Sequence, residues 1–250
     1  MSTKALKTQL LAAIAMVLVA SIALGSSTYA WFANNNKVTA SGMSVTAKSD
    51  VSFLLIKAGE ADAESVQNDK ATTANGLKTS ASLLPTAHEN VTKISDIEAT
   101  TNSGADTVKT NWYYQYAEKP EASTAADSAE KLKIKNTDFD NYVLVNEFSI
   151  CTAVGSNKMT NLVVSGSTLT TDGDDAVKVL VATDTACVEL DKTKTRDTTS
   201  LAAEVNSTSV VKVKVYIYWD GTDADVYTNG IADLKNTSVS IDFSATPSAT

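Results

Sequence analysis

The side chains best suited to catalysis are scattered along this sequence and form no recognisable active-site pattern. His88 is the single histidine among 250 residues, whereas catalytic zinc sites commonly draw on two or more histidines. No Gly-x-Ser-x-Gly, His-Glu-x-x-His or phosphate-binding glycine-rich motif occurs. We therefore interpret His88 as a solvated loop residue and predict that the protein is not an enzyme.

Two acidic runs are the only candidate metal ligands. Asp172–Asp175 and Asp220–Asp225 each place several carboxylates close together, and calcium takes six to eight oxygen ligands. Neither run completes an EF-hand, and Asp-Gly is itself a common turn dipeptide. We interpret both runs as turns between strands and predict no bound metal and no cofactor.

Cys151 and Cys187 are the only cysteines, too few for a disulfide framework. A single bridge between them is compatible with an oxidising exterior, and two free thiols are the alternative. If the apolar neighbours of each cysteine point inward, both cysteines lie on a solvent-exposed face. A bridge then requires that their strands adjoin, which the sequence leaves open.

The densest aromatic cluster is the run Trp112-Tyr113-Tyr114-Gln115-Tyr116. An exposed aromatic patch of this kind can bind a sugar or another protein, because such rings combine apolar area with polar tips. The same run can instead pack over the edge of a β-sandwich. We favour packing and keep glycan or protein binding as the alternative.

The alternation of apolar and polar residues predicts that most of the chain forms β-strands. Val211–Trp219 and Val239–Ala245 both alternate with a period of two, the pattern of strands with one buried face. Tyr142–Cys151 also reads as a strand, but its apolar parity changes midway. A β-bulge near Asn146 or Glu147 would reconcile the two halves. Together the strands predict an all-β, jelly-roll-like antiparallel sandwich.

The domain organisation follows from where the strand pattern stops. Residues 49–250 are predicted to form the sandwich, with Val177–Val181 pairing with Ala186–Leu190 across a short turn. Residues 58–132 are predicted as an irregular insertion of loops. Their last part, 120–132, begins with acidic residues and good helix formers and predicts a short helix.

The N-terminus has the three parts of a signal peptide. Lys4 and Lys7 precede an unbroken apolar run, Leu10–Leu24, and a stretch of small residues ends at Ala30. The apolar run is shorter than the roughly 20 residues of a membrane-spanning helix. We predict that residues 1–30 form a cleavable signal-peptide helix and that the mature chain starts at Trp31.

The charge of the chain fits an extracellular protein. Loss of the two lysines and no acidic residue with residues 1–30 takes the formal net charge from −8 to −10. Such a surface repels nucleic acid and anionic lipid and favours solubility. We expect a secreted protein at the cell surface, without nucleic-acid partners, that meets the membrane only as the uncleaved precursor.

The run Thr28-Tyr29-Ala30-Trp31-Phe32 at the predicted cleavage point, followed by residues 38–47, resembles the N-terminus of the TasA/CalY (camelysin-type) secreted proteins. The resemblance covers most of the chain, is specific at its two ends and is loose between residues 58 and 110. Further features look like those of a clostridial branch of the family. The segments that carry it are 28–32 (TYAWF), 38–47 (VTASGMSVTA) and 238–246 (SVSIDFSAT), with 112–113, 142–150 and 218–221 for the branch.

This resemblance implies a subunit of extracellular fibres in a biofilm matrix. It also implies that a SipW-type signal peptidase cuts between Ala30 and Trp31, and that residues 31–48 then insert as a donated strand into the next copy of the chain. The protein would thus be its own partner in a head-to-tail polymer. A monomeric cell-surface module that binds glycan or a host protein is the alternative. The side chains expected to fill the acceptor groove are Trp31, Phe32, Val38, Met43 and Val45.

Overall fold

The computed structural model describes the backbone of residues 44–48 and, in full, residues 54–76, 78, 83–114, 132–170, 176–223 and 238–248. All of them lie in one unit of the chain, Ala40–Thr250. The predicted signal-peptide helix and the cleavage point at Ala30 and Trp31 fall outside the described residues.

Strands dominate the described residues, with two short α-helices and one 3₁₀ helix. The helices are α1 (Ala63–Asp69), α2 (Ile94–Glu98) and the 3₁₀ helix Asn136–Asn141. The strands are β1 (Ser44–Lys48), β2 (Leu54–Ala58), β3 (Thr73–Asn75), β4 (Thr86–His88), β5 (Thr100–Ser103), β6 (Asp106–Tyr114), β7 (Lys133–Lys135), β8 (Val143–Thr152), β9 (Met159–Thr170), β10 (Val177–Ala182), β11 (Cys187–Leu190), β12 (Asp197–Val205), β13 (Val211–Trp219) and β14 (Ser238–Pro247).

Two five-stranded sheets are present among the described strands. The first has the order β12-β9-β14-β1-β3 and the second the order β11-β10-β13-β8-β2. Every pairing in them is antiparallel except β1 with β14, which is parallel. The predicted hairpin of β10 and β11 is confirmed, with Val179 opposite Leu190 and Val181 opposite Val188.

The core lies between the two sheets and follows the predicted alternation. Val213, Val215, Ile217 and Trp219 of β13 meet the inward residues of β14 in one cluster of buried side chains. Packing of two mostly antiparallel sheets over a shared apolar layer defines a β-sandwich. The all-β sandwich class predicted from the sequence is therefore confirmed. The inward residues of β14 are Val239, Ile241 and Phe243.

The outer face of the second sheet is covered by a further layer. A smaller sheet of β4, β5, β6 and β7, together with α2 and the 3₁₀ helix, packs on it through a second apolar cluster. Tyr216 and Tyr218 of β13, on the face opposite the core, are consequently 0% and 2% exposed. The region predicted as an irregular insertion, 58–132, supplies most of this layer, while its predicted helix at 120–132 lies outside the described residues apart from Leu132.

The predicted bulge in the strand around residue 146 is wrong. β8 pairs with β13 in unbroken register from Val143 to Ile150. The change of apolar parity has another cause, because Val143 and Val145 belong to the outer apolar cluster and Phe148 and Ile150 to the core. A strand buried on both faces carries apolar residues of both parities without any interruption.

Candidate assembly site

The N-terminal strand β1 lies inside a sheet, between β14 and β3. Ser44 to Lys48 run parallel to Ser240–Ser244 on one side. On the other side Ser44, Val45 and Thr46 pair with Asn75, Ala74 and Thr73. The chain thus fills with its own N-terminal strand the position between the C-terminal strand and β3, which we call the β1 slot.

The register of β1 aligns Val45 with two core residues. Val45 lies opposite Ile241 of β14 and Ala74 of β3, and these two residues belong to the apolar core. Ala47 is likewise opposite Phe243, whose side chain is 0% exposed. An empty β1 slot would therefore uncover core residues as well as two strand edges.

The cost of emptying the slot is substantial. Fully exposing a buried Ile or Phe side chain costs about 1.5–3 kcal/mol, and Ile241 and Phe243 are core residues on the strand that borders the slot. The facing N–H and C=O groups of β14 and β3 would also lose their partners, and such unpaired edges readily accept another strand. The slot accordingly needs an occupant for the sandwich to be stable.

Topology leaves β1 without a hairpin to either neighbour in its sheet. A parallel pair of strands requires a crossover connection, and β1 and β14 lie at opposite ends of the sequence. The next element after β1 is β2, which belongs to the other sheet, and residues 49–53 connect them. Exchange of β1 between two copies of the chain would therefore alter only this short connection and the backbone before it.

Of the five predicted assembly residues, the structure describes one. Val45 lies in the β1 slot, as its register shows. Trp31, Phe32, Val38 and Met43 are outside the described residues and stay predictions. Among the helices that the structure does describe, none has the length and apolar character needed to cross a membrane.

The two cysteines are both free, which is the second of the two alternatives. Cys151 lies on β8 and Cys187 on β11, and β10 and β13 separate these strands. The prediction that both face solvent is wrong, because Cys151 packs under Val66 of α1. Burial also raises the pKa of the Cys187 thiol to about 12, so this thiol is a weak nucleophile at neutral pH.

The first residue of the aromatic run, Trp112, is buried. Trp112 is 0% exposed, and its indole N–H donates to the carbonyl oxygen of Ile97 at 3.1 Å. Its ring also meets the rings of Phe139 and Tyr218 edge-on, with both pairs of centroids 5.3 Å apart. Trp112 therefore offers no exposed ring for sugar stacking, while Gln115 and Tyr116 lie outside the described residues.

His88 is not the solvated loop residue expected from the sequence. It ends β4, and its Nε2 lies 2.8 Å from the Tyr218 hydroxyl and 3.0 Å from Glu189 Oε2. Tyr218 donates its one proton to Glu189 at 2.9 Å, so His88 Nε2 is the donor in both contacts. The hydrogen bond from His88 holds the pKa of Glu189 below its ordinary value. No local sequence pattern predicts this cluster, because its members lie on β4, β11 and β13, which are far apart in the sequence.

We expect His88→Ala to lower the free energy of unfolding by about 1–3 kcal/mol, because it strips a donor from the half-buried Glu189 and the buried Tyr218. Urea unfolding followed by circular dichroism measures the change. Thr101→Ala, on the exposed strand β5, is the control and should shift stability by less than about 0.5 kcal/mol. An equal effect of the two substitutions would show that the His88 cluster does not tie the outer layer to the sandwich.

The acidic run at Asp220 forms a turn. The Asp220 carboxylate accepts hydrogen bonds from the backbone N–H and the hydroxyl of Thr222, at 2.9 and 2.5 Å. No group of three or more His, Cys, Asp or Glu side chains suited to a metal occurs within the described part of the chain. The other run, Asp172–Asp175, is outside it, as are residues 224 and 225.

Comparison of the chain with protein-family models, with curated proteins and with solved structures finds no match in any of the three. The class that the fold and the slot define is an all-β sandwich completed by its own N-terminal strand. The resemblance to the TasA/CalY proteins accordingly stays a prediction from the residues that carry it.

Proposed function

We propose that this chain is a secreted structural subunit of extracellular biofilm-matrix fibres, similar to the TasA/CalY proteins. The subunits are joined head to tail when residues 31–48 of one copy enter the β1 slot of the next. The observation that carries the proposal is the place of β1, an N-terminal strand lying between β14 and β3 with no hairpin to either.

The physical route is strand addition. A sandwich that lacks one internal strand presents two unpaired edges and an apolar groove, and a strand from a neighbour satisfies both. The donor and the acceptor surfaces lie on different parts of the molecule, so the contact is heterologous and extends into a filament unless the rotation closes. Signal-peptide cleavage before Trp31 would free the donated segment outside the cell.

Self-insertion competes with donation. A strand tethered by the short connection 49–53 reaches its own slot at an effective concentration in the mM range. The closed monomer is therefore a strong competitor, and the polymer forms only if donation adds contacts that the monomer lacks. We assign that contribution to residues 31–42, whose Trp31, Phe32 and Val38 supply apolar area ahead of β1.

Two chains with different starting residues test this proposal. The chain that begins at Trp31 is expected to form filaments, seen by electron microscopy. The chain that begins at Met43 keeps β1, and is therefore expected to fold and to remain monomeric in size-exclusion chromatography with light scattering. Equal circular dichroism spectra of the two chains before assembly would show that they share one fold.

The matched control keeps the full length and changes only the apolar side chains. A chain beginning at Trp31 with Trp31→Ser and Phe32→Ser is expected to form filaments far more slowly than its parent. Filaments from the Met43 chain, or none from the Trp31 chain at any pH and concentration tested, would count against strand donation by this segment.

A further inference from the structure

A cleft with a volume of ≈ 370 Å³ lies where the outer layer meets the second sheet of the sandwich. α2 and the 3₁₀ helix form one wall, and the outer faces of β8 and β13 form the floor. It is separate from the β1 slot, which belongs to the first sheet. The side chains that matter here are Glu98, Lys109, Phe139, Lys214 and Tyr216.

Lys109 is an unusually placed amine in this cleft. The residue is 7% exposed, and its Nζ lies 4.4 Å from the centroid of the Phe139 ring and 3.4 Å from the carbonyl oxygen of Glu98. Within the described part of the chain, no carboxylate forms an ion pair with it. Burial, with a smaller contribution from the Lys214 charge, lowers the pKa of the Lys109 amine against the opposing charges of Glu98 and Asp140. Its neutral, nucleophilic form is therefore more available than that of an exposed lysine.

The charged side chains next to Lys109 form ion pairs and hydrogen bonds with one another. Lys214 Nζ lies 2.5 Å from Glu98 Oε1 and 3.7 Å from Glu147 Oε2, and the Tyr216 hydroxyl donates to the same Glu98 oxygen at 3.1 Å. Lys214 is therefore paired with both carboxylates. These contacts fix the Glu98 side chain in the lining of the same cleft as Lys109.

We propose that Lys109 is a covalent binding site for small carbonyl compounds, which its amine captures as an imine inside this cleft. The neutral Nζ attacks the carbonyl carbon, a C–N bond forms, and the carbonyl oxygen takes up a proton to give a carbinolamine. The C–O bond then breaks, the oxygen leaves as water with two protons that came from the amine, and a C=N bond remains.

Reductive trapping of glycolaldehyde tests the proposal. The full chain, Met1–Thr250, is incubated with glycolaldehyde and sodium cyanoborohydride, which reduces the imine to a stable amine, and peptides are analysed by mass spectrometry. Lys109 is expected to be labelled several-fold faster than Lys158, whose side chain is 66% exposed. Its labelling rate should also reach half its maximum at a lower pH than that of Lys158.

Three controls separate the cleft from general amine reactivity. In urea the two lysines should react at equal rates, and an aldehyde-bearing dextran, too large for the cleft, should label Lys158 but not Lys109. Lys109→Arg should remove the fast phase and leave the labelling of Lys158 and the melting temperature unchanged. Labelling of Lys109 in the folded chain that is no faster than that of Lys158 overturns the proposal.

Discussion

We expect two different disulfide patterns from a chain that begins at Trp31 and carries Ser44→Cys and Asn75→Cys. Oxidation before assembly should give monomers with an internal disulfide, and oxidation after assembly should give a series of disulfide-linked oligomers. Positions 44 and 75 are opposite each other on the antiparallel pair β1 and β3. Opposed residues have Cα atoms about 4.5–5.5 Å apart, which suits a disulfide. If β1 occupies its own slot the bridge closes within one chain, and if β1 is donated the same bridge joins two subunits.

Non-reducing gel electrophoresis distinguishes these outcomes. Oxidising the monomer first should also block filament growth, and a reducing agent should restore it, because the bridge holds β1 in its own slot. Cys151 is 0% exposed and is left in place, while Cys187→Ser removes the other native thiol.

A second cysteine pair serves as the control for this experiment. Thr160 of β9 and Glu204 of β12 lie opposite each other, away from β1. A chain with Thr160→Cys and Glu204→Cys should therefore form its disulfide within one chain, both as the monomer and in the filament. Filaments whose Ser44→Cys and Asn75→Cys chains migrate only as monomers would contradict strand donation directly.

The strands of the sandwich could be predicted from the sequence because alternation is a local property. Val211–Trp219 has the predicted bounds, and alternate residues from Val213 to Trp219 line the core, as a period of two predicts. What covers the opposite face could not be predicted, because the covering layer comes from residues 83–114 and 132–142, distant in sequence. Tyr216 and Tyr218 lie on the face that the alternation alone predicts to be exposed, and this layer buries them.

The candidate site could be predicted only in part, for the same reason. That residues 43–47 form a strand followed from their alternation, and β1 covers Ser44–Lys48. That this strand pairs in parallel with β14 depends on contacts between the two ends of the chain, which no local pattern encodes. The His88 cluster and the Lys109 cleft likewise form only when separate strands and helices come together.

We also expect that β1 can fill the β1 slot as a separate peptide and restore the stability of a chain that lacks it. A chain beginning at Asp50 lacks β1 and leaves Ile241 and Phe243 uncovered, so it is expected to lose about 5 kcal/mol of unfolding free energy. A loss of this size is a large part of the stability of an ordinary domain. A free peptide of residues 31–48, at about one hundred times its Kd, should recover about 2.7 kcal/mol.

Two altered peptides decide whether the recovery depends on the core side of the strand. Val45→Asp places a carboxylate opposite Ile241 and Ala74, both buried, and should abolish rescue, because an unpaired charge is not tolerated in an apolar core. Ser44→Asp adds the same charge opposite the exposed Asn75 and should rescue nearly as well as the parent peptide. Thermal melts of the Asp50 chain with each peptide measure the difference. Equal rescue by both altered peptides would mean that backbone pairing alone binds the strand, and Val45 would then have no part in filling the slot.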